Sequence, residues 1–297
     1  MTASDAPQFY HVRGMKLAYW TFGDPAGRPL LCLHGFLDHG ASFRFMAEHL
    51  PDFFVVAPDM RGHGHSDWVG AGGYYHFYDY YDDCRALVAE LGWKHFDLLG
   101  HSMGGSISTA LAALSPEHVT SLVLLEGMGP PFSDLTQSVS RLERWSNQLR
   151  KPMFEASPAD RRNRRKVIAS VDDAARRLQA VNPRLSAERA LAFAQRLTEP
   201  MDSGVAWRYD PLNRTPSAKP FIKEEAEAIW RGIRAPVLSV FGADTAWKPA
   251  DLDARHACLA RVITHSIPDA GHNLHHDRPD TVAQLVHSWS DKPGHPI

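Results

Sequence analysis

Residues 96–114 constrain this chain more than any other stretch. Phe96 to Leu99 is a largely apolar run that predicts a buried strand, and it leads at once into Gly100-His-Ser-Met-Gly104. A small-residue segment, Ser106 to Leu114, then predicts a helix. A strand that turns so sharply into a helix holds the serine between them in a strained backbone conformation. The turn lifts the Ser102 hydroxyl clear of the sheet edge, over the positive end of the helix dipole. Only small residues at Gly100 and Gly104 let the two arms pass so closely. A Gly-x-Ser-x-Gly match alone describes an ordinary turn. Between a strand and a helix it marks a nucleophile.

A serine there is inert without a base. In this arrangement the chain order is nucleophile, acid, histidine, so the histidine should follow the last strand. Val262 to Ile267 predicts that strand, and Pro268-Asp-Ala-Gly-His272-Asn-Leu-His-His-Asp277 follows it. His272 is the expected base. A metal reading of the same loop would gather His272, His275, His276 and Asp277. Zinc sites need three or four converging ligands, and no cysteine or second His/carboxylate cluster joins these. The helix expected at Pro279 to Trp289 favours the base reading, so no metal is expected and His275 and His276 are read as structural.

With these segments in hand, the chain resembles the α/β-hydrolase family over nearly its whole length. Leu30-Leu-Cys-Leu-His-Gly-Phe-Leu-Asp38 resembles the family's early strand and oxyanion loop. Asp59-Met-Arg-Gly-His-Gly-His-Ser-Asp67 resembles the turn after the next strand. The elbow around Ser102 and the Gly271-His272 loop complete four signatures in the family's order. Within the superfamily, Leu33 to Phe43, Leu124 to Pro131 and Trp207 to Pro211 are similar to segments of the serine hydrolase-like proteins.

The resemblance implies a mechanism. His272 takes the Ser102 proton as the hydroxyl attacks a carbonyl carbon, then returns it to the leaving group. The oxyanion is met by the backbone N–H groups of Met103 and Phe36, whose side chains are expected to wall the acyl pocket. His34 is read as a loop brace. The acid stays open between two residues. The family's usual position follows the strand Val237–Phe241 in a Gly-x-x-Asp turn, but here Thr245 holds it and Asp244 comes one residue early. Glu126, directly after the strand Ser121–Leu125, is the preferred acid, an arrangement some haloalkane dehalogenases of the superfamily resemble. Dehalogenases and epoxide hydrolases need a carboxylate nucleophile, and the elbow carries Ser102.

Organisation fits a core interrupted once. Strand signals at Ala18–Phe22, Leu30–Leu33, Phe53–Ala57, Phe96–Leu99 and Ser121–Leu125 alternate, in the later part, with helical ones. They resume with a helix near 223 and strands at 237–241 and 262–267. That alternation predicts an α/β fold with a mostly parallel, doubly wound sheet. Ser102, Glu126, Asp244 and His272 all fall at carboxyl ends of strands, where such sheets bind ligands. Residues 1–129 and 223–297 are the expected core. Between 130 and 222 the strand signal vanishes, and Ser157-Pro158 and Ser186 predict helix starts, so this segment is read as a helical cap over the site. The run Arg161-Arg-Asn-Arg-Arg-Lys166 reads as a solvated face. The aromatic cluster Tyr74 to Tyr81 reads as packing ahead of a helix over Cys84–Leu91.

A 297-residue chain with 44% hydrophobic and 22% charged residues has ample core for one large domain or two modest ones. A formal net charge of −2 offers no general attraction for nucleic acid or anionic membrane. Three scattered cysteines are read as reduced, Cys32 in a strand and Cys84 and Cys258 on helices. Met1 to Gln8 shows no signal-peptide pattern, no apolar run suggests a membrane span, and the tail Asp291–Ile297 is expected to fray. A cytoplasmic monomer or homodimer is expected. The expected function is cofactor-free hydrolysis of an ester, thioester or lactone of a small molecule. The alternatives are a carbon–carbon bond hydrolase, or a small-molecule receptor with little turnover.

Overall fold

The computed structural model describes residues 6–295. Met1–Asp5 and the end of the tail, Pro296 and Ile297, lie outside the described residues. Ten strands occur in chain order: β1 (Gln8–Val12), β2 (Met15–Phe22), β3 (Arg28–Leu33), β4 (Phe53–Pro58), β5 (Phe96–His101), β6 (Val119–Leu125), β7 (Thr198–Met201), β8 (Gly204–Trp207), β9 (Val237–Gly242) and β10 (Val262–Ile267). Eight of them form one sheet in the order β1-β2-β4-β3-β5-β6-β9-β10. β1 and β2 run antiparallel, β2 pairs antiparallel with β4, and every pairing from β4 to β10 is parallel.

Residue type explains these placements. β5 and β9 are buried along their entire length, as strands covered on both faces must be. Successive side chains point to opposite faces and so enter different cores. Leu31, Leu33, Leu98, Leu122 and Leu124 pack on one face with Ile107 and Leu111 of the helix Met103–Leu114. Leu30, Cys32, Leu99, Val123 and Leu125 pack on the other with Phe43, Val286 and Trp289. The edges are less apolar: β1 and β10 each bury one residue. β4 and β5 flank β3 on opposite sides, so the strand order reverses at β3/β5 and opens a crevice at their carboxyl ends.

The segment 130–222 carries helices at Ser138–Leu149, Val171–Val181 and Ala187–Leu197, and shorter ones at Pro152–Glu155 and Pro158–Asn163. Ser157 and Ser186 cap as their sequence positions predict, each side chain accepting from the backbone N–H three residues on. The segment is not free of strands, however. β7 and β8 form an antiparallel hairpin, and Ile168 bridges to Val205 beside it. The four-residue strands Thr-Glu-Pro-Met and Gly-Val-Ala-Trp are too short and too mixed to show a period of two. A small core of Ile168, Ala174, Ala190, Phe193 and Ala194 underlies them.

Three further expectations are corrected. The basic run is not a solvated face throughout: Arg161 is 2% exposed and Arg165 8%. Arg161 donates to Asp210, itself fully buried, with Nη2 at 2.8 Å from Oδ2. Arg165 pairs with Glu199 and donates to the Trp207 carbonyl at 2.6 Å. The aromatic cluster does more than lead into a helix. The helix starts at Phe77 rather than Cys84, and Tyr75 and Tyr80 donate hydrogen bonds across to Asp210 and Asn213 of the 130–222 segment. All three cysteines are free and buried, although Cys258 lies just past the short helix Leu252–His256 rather than on it. Among the described residues, no helix is long and apolar enough to cross a membrane.

Candidate active site

Ser102 sits between β5 and the helix Met103–Leu114 with φ 52° and ψ −115°. A non-glycine residue rarely occupies that region, and a fold holds it there only when its surroundings over-determine it. The turn's glycines show how tight those surroundings are. A Cβ on Gly104 would lie 2.1 Å from the Leu33 carbonyl oxygen, and one on Gly100 would lie 2.5 Å from the Gly104 oxygen. The Ser102 N–H is tied to the Leu125 carbonyl at 3.0 Å, which pins the turn to the end of β6.

Glu126 follows β6 directly and also has a positive φ, 50°. Its N–H donates to the Val240 carbonyl at 2.9 Å, fixing it between β6 and β9. The carboxylate is buried and fully engaged. Oε1 accepts from the Gly242 N–H at 3.0 Å, and Oε2 accepts from Thr245 Oγ1 at 2.8 Å. Oε2 also lies 2.6 Å from His272 Nδ1, and His272 Nε2 lies 3.0 Å from Ser102 Oγ. A carboxylate can only accept at Nδ1, which leaves Nε2 as the acceptor facing the serine hydroxyl. Serine, imidazole and carboxylate form one hydrogen-bonded line.

Of the two acids left open by the sequence, the structure brings Glu126 to His272 and leaves Asp244 elsewhere. Asp244 is about half exposed and pairs with Arg184 at 2.8 Å. Thr245, which stands where the family's acid was sought, bonds to Glu126 instead. Its Oγ1 also accepts from the Trp247 N–H at 3.1 Å, and the Trp247 ring lies 5.1 Å from that of His272. Sequence reasoning missed Thr245 and Trp247. The misplaced threonine was the available signal, since a hydroxyl in an acid's position invites the question of which carboxylate it serves.

Phe36 lies in the turn after β3 with its side chain half exposed, and Met103 opens the helix after Ser102. The first N–H groups of a helix have no partner within it, so the Met103 N–H is available to an oxyanion. His34 is the brace expected of it: Nε2 accepts from the Met60 N–H at 3.0 Å, so the proton is on Nδ1, 2.7 Å from the Gly35 carbonyl. His101, not singled out by sequence, reaches the His272 carbonyl from Nε2 at 2.9 Å. Asp277 accepts from the Gly271 N–H at 2.9 Å and from Asn182 at 2.6 Å, bracing the histidine loop. A cavity of about 440 Å³ lies within the 130–222 segment, lined by Arg165, Ile168, Trp207 and Tyr209 among others; neither Ser102 nor His272 lines it.

Comparison with known proteins agrees with this architecture. Residues 28–279 match the family described as alpha/beta hydrolase fold. A serine hydrolase-like protein of Danio rerio is 28% identical over 272 residues, covering 89% of this chain and 82% of that one. A 3-hydroxybutyrate-oligomer hydrolase of Cupriavidus necator is 30% identical over 277 residues, covering 86% and 87%. Among solved structures, a thioesterase domain from the curacin biosynthetic pathway superposes with a TM-score of 0.85 at 26% identity, covering 97% of this chain and all of that one (100%). The chain belongs to the α/β-hydrolase family and is similar to its serine hydrolase-like proteins.

Proposed function

We propose that the protein is a serine hydrolase that cleaves a carboxylic ester or a related acyl bond, a thioester or lactone, through Ser102, His272 and Glu126. The observation that carries this reading is the hydrogen-bonded line Ser102 Oγ–His272 Nε2–His272 Nδ1–Glu126 Oε2, at 3.0 and 2.6 Å. His272 removes the hydroxyl proton as Oγ adds to the carbonyl carbon. The Phe36 and Met103 N–H groups receive the oxyanion, and the imidazolium then protonates the departing alcohol or thiol. Water, deprotonated by the same imidazole, releases the acid from the acyl-serine. Glu126 holds the imidazole in the productive tautomer and stabilises its charged form. This chemistry needs no cofactor. The segment 130–222 is the proposed cap, with a role in selecting acyl and leaving groups. Two similar proteins carry names in keeping with acyl-bond cleavage, a 3-hydroxybutyrate-oligomer hydrolase and a thioesterase domain.

The test is steady-state hydrolysis of p-nitrophenyl esters of increasing acyl length. Wild type should turn over, and Ser102→Ala should lose about a millionfold in kcat. A folded Ser102→Ala variant with near wild-type turnover would remove Ser102 from the mechanism.

A further inference from the structure

The loop that carries His272 also carries His275 and His276, and the fold sets them against residues far away in sequence. His275 is fully buried and stacks on Phe43 with ring centroids 4.7 Å apart. Its ring lies 4.6 Å from that of His101 and 4.1 Å from that of His276. Asp38 turns its carboxylate into this cluster. Oδ2 stands 3.7 Å from His275 Nε2 and 3.5 Å from His276 Nε2. One ligand atom each from Asp38, His101 and His275 lie within 4.8 Å of one another.

The polar accounting of the cluster is unusual. His101 Nδ1, both ring nitrogens of His275 and His276 Nε2 are buried without a hydrogen-bond partner. Native interiors leave few such groups, and rarely several together. His101 is the most telling. Its Nε2 faces the His272 carbonyl and so carries the proton, which leaves the Nδ1 lone pair bare. An imidazole whose outer N–H is held by a backbone carbonyl while its other nitrogen is free has the arrangement of a metal ligand. Gly35 adds room there, since a Cβ would lie 2.7 Å from His101 Nδ1. Burial, and then the neighbouring imidazole of His276, pushes His275 down to about 3; burial and His275 hold His101 well below its ordinary value. Burial opposes ionisation of Asp38, but the facing His275 and His276 hold its carboxyl well below the usual range.

We propose that Asp38, His101 Nδ1 and His275 Nε2 bind one divalent transition-metal ion of the zinc class, with a water completing a four-coordinate site. Imidazole nitrogens with one carboxylate suit zinc, whereas calcium and magnesium favour all-oxygen sets. With bonds near 2 Å, tetrahedral ligand atoms stand about 3.4 Å apart. The spacing of 3.7 Å from His275 Nε2 to Asp38 Oδ2 needs only a small contraction. Sequence reading rejected a metal because it looked within residues 272–277. The fold engages Asp277 with Gly271 and Asn182, and supplies Asp38 from the loop after β3 and His101 from the end of β5.

The assignment stands apart from hydrolysis and is tested without it. The full chain, produced without a histidine tag and stripped with EDTA, is titrated with Co²⁺ and then Zn²⁺. One equivalent of Co²⁺ should give the visible absorption of a four-coordinate site, and Zn²⁺ should displace it. Asp38→Asn and His275→Gln should each weaken binding at least about tenfold, whereas Ser102→Ala should leave it unchanged. X-ray absorption of the zinc-loaded wild type should show only nitrogen and oxygen ligands, with scattering from at least two imidazoles, which tests the site even if a variant fails to fold. No stoichiometric binding, equal binding by wild type and both folded ligand variants, or a single imidazole would overturn the assignment.

Discussion

Around Leu98, Leu122 and Leu238 the molecule is joined by fully buried apolar side chains, whereas the 130–222 segment carries a buried ion pair of its own where it meets the loop that follows β4. There Arg161 and Asp210 pair at 2.8 Å, and Tyr75 donates to the same carboxylate at 2.8 Å. Asp210 reaches the turn after β4 as well, its N–H donating to the Gly62 carbonyl at 2.8 Å. Apolar packing fixes the sheet without regard to direction, so many sequences could build it. The charged joint ties the segment to the turn after β4 and to Tyr75 through directional hydrogen bonds, which apolar packing does not supply. Burying such a pair is weak evidence of net stabilisation but strong evidence of a penalty when one partner is lost.

The sharpest way to break that contrast is to strip one charge. Asp210→Ala should lower stability by about 3–5 kcal/mol, since it leaves the Arg161 guanidinium buried and unpaired. Leu122→Ala should cost about 2–5 kcal/mol through the cavity it opens. The two losses differ in how they are repaired. Arg161→Met combined with Asp210→Leu should recover most of the first, as read from urea midpoints. A cost below 1 kcal/mol for Asp210→Ala would show that the pair does not hold the segment.

Another effect separates the regions by pH. All 17 histidines lie outside residues 130–222. Burial, and secondarily His34, pushes His63 down to about 3, and burial, with His276, does the same to His275. Both groups are neutral in the folded chain, while the unfolded chain takes up their protons near pH 6.5. Their contribution to stability is therefore complete above about pH 6.5 and is lost as the pH falls toward 3, at up to about 1.4 kcal/mol per unit for each group. Urea midpoints in EDTA should fall steadily between pH 7 and pH 4. A flat profile would mean that these rings are solvated or charged in the native state.

The same contrast decides what could be read before the structure. β3, β5, β6 and β9 were legible because a strand buried on both faces leaves a continuous apolar run. The Ser102 turn was legible because close approach demands glycine. The hairpin β7–β8 was not, because four residues with one proline carry no usable pattern. Arg161 was misread for a related reason: its partner lies 49 positions away, and local charge density says nothing of a distant carboxylate. Glu126 could be preferred, but Asp244 could not be set aside, because that decision rests on side-chain reach across β6 and β9. Thr245 and the Asp38–His101–His275 cluster depend on the same long-range closure.

The most direct test compares kcat for a p-nitrophenyl ester in wild type, Glu126→Gln and Asp244→Asn. Glu126→Gln should lose about ten-thousandfold, because an amide at Nδ1 no longer fixes the tautomer or balances the imidazolium. Asp244→Asn, which loses only an exposed pair with Arg184, should stay near wild type. A large loss in Asp244→Asn, with Glu126→Gln folded and active, would contradict the account.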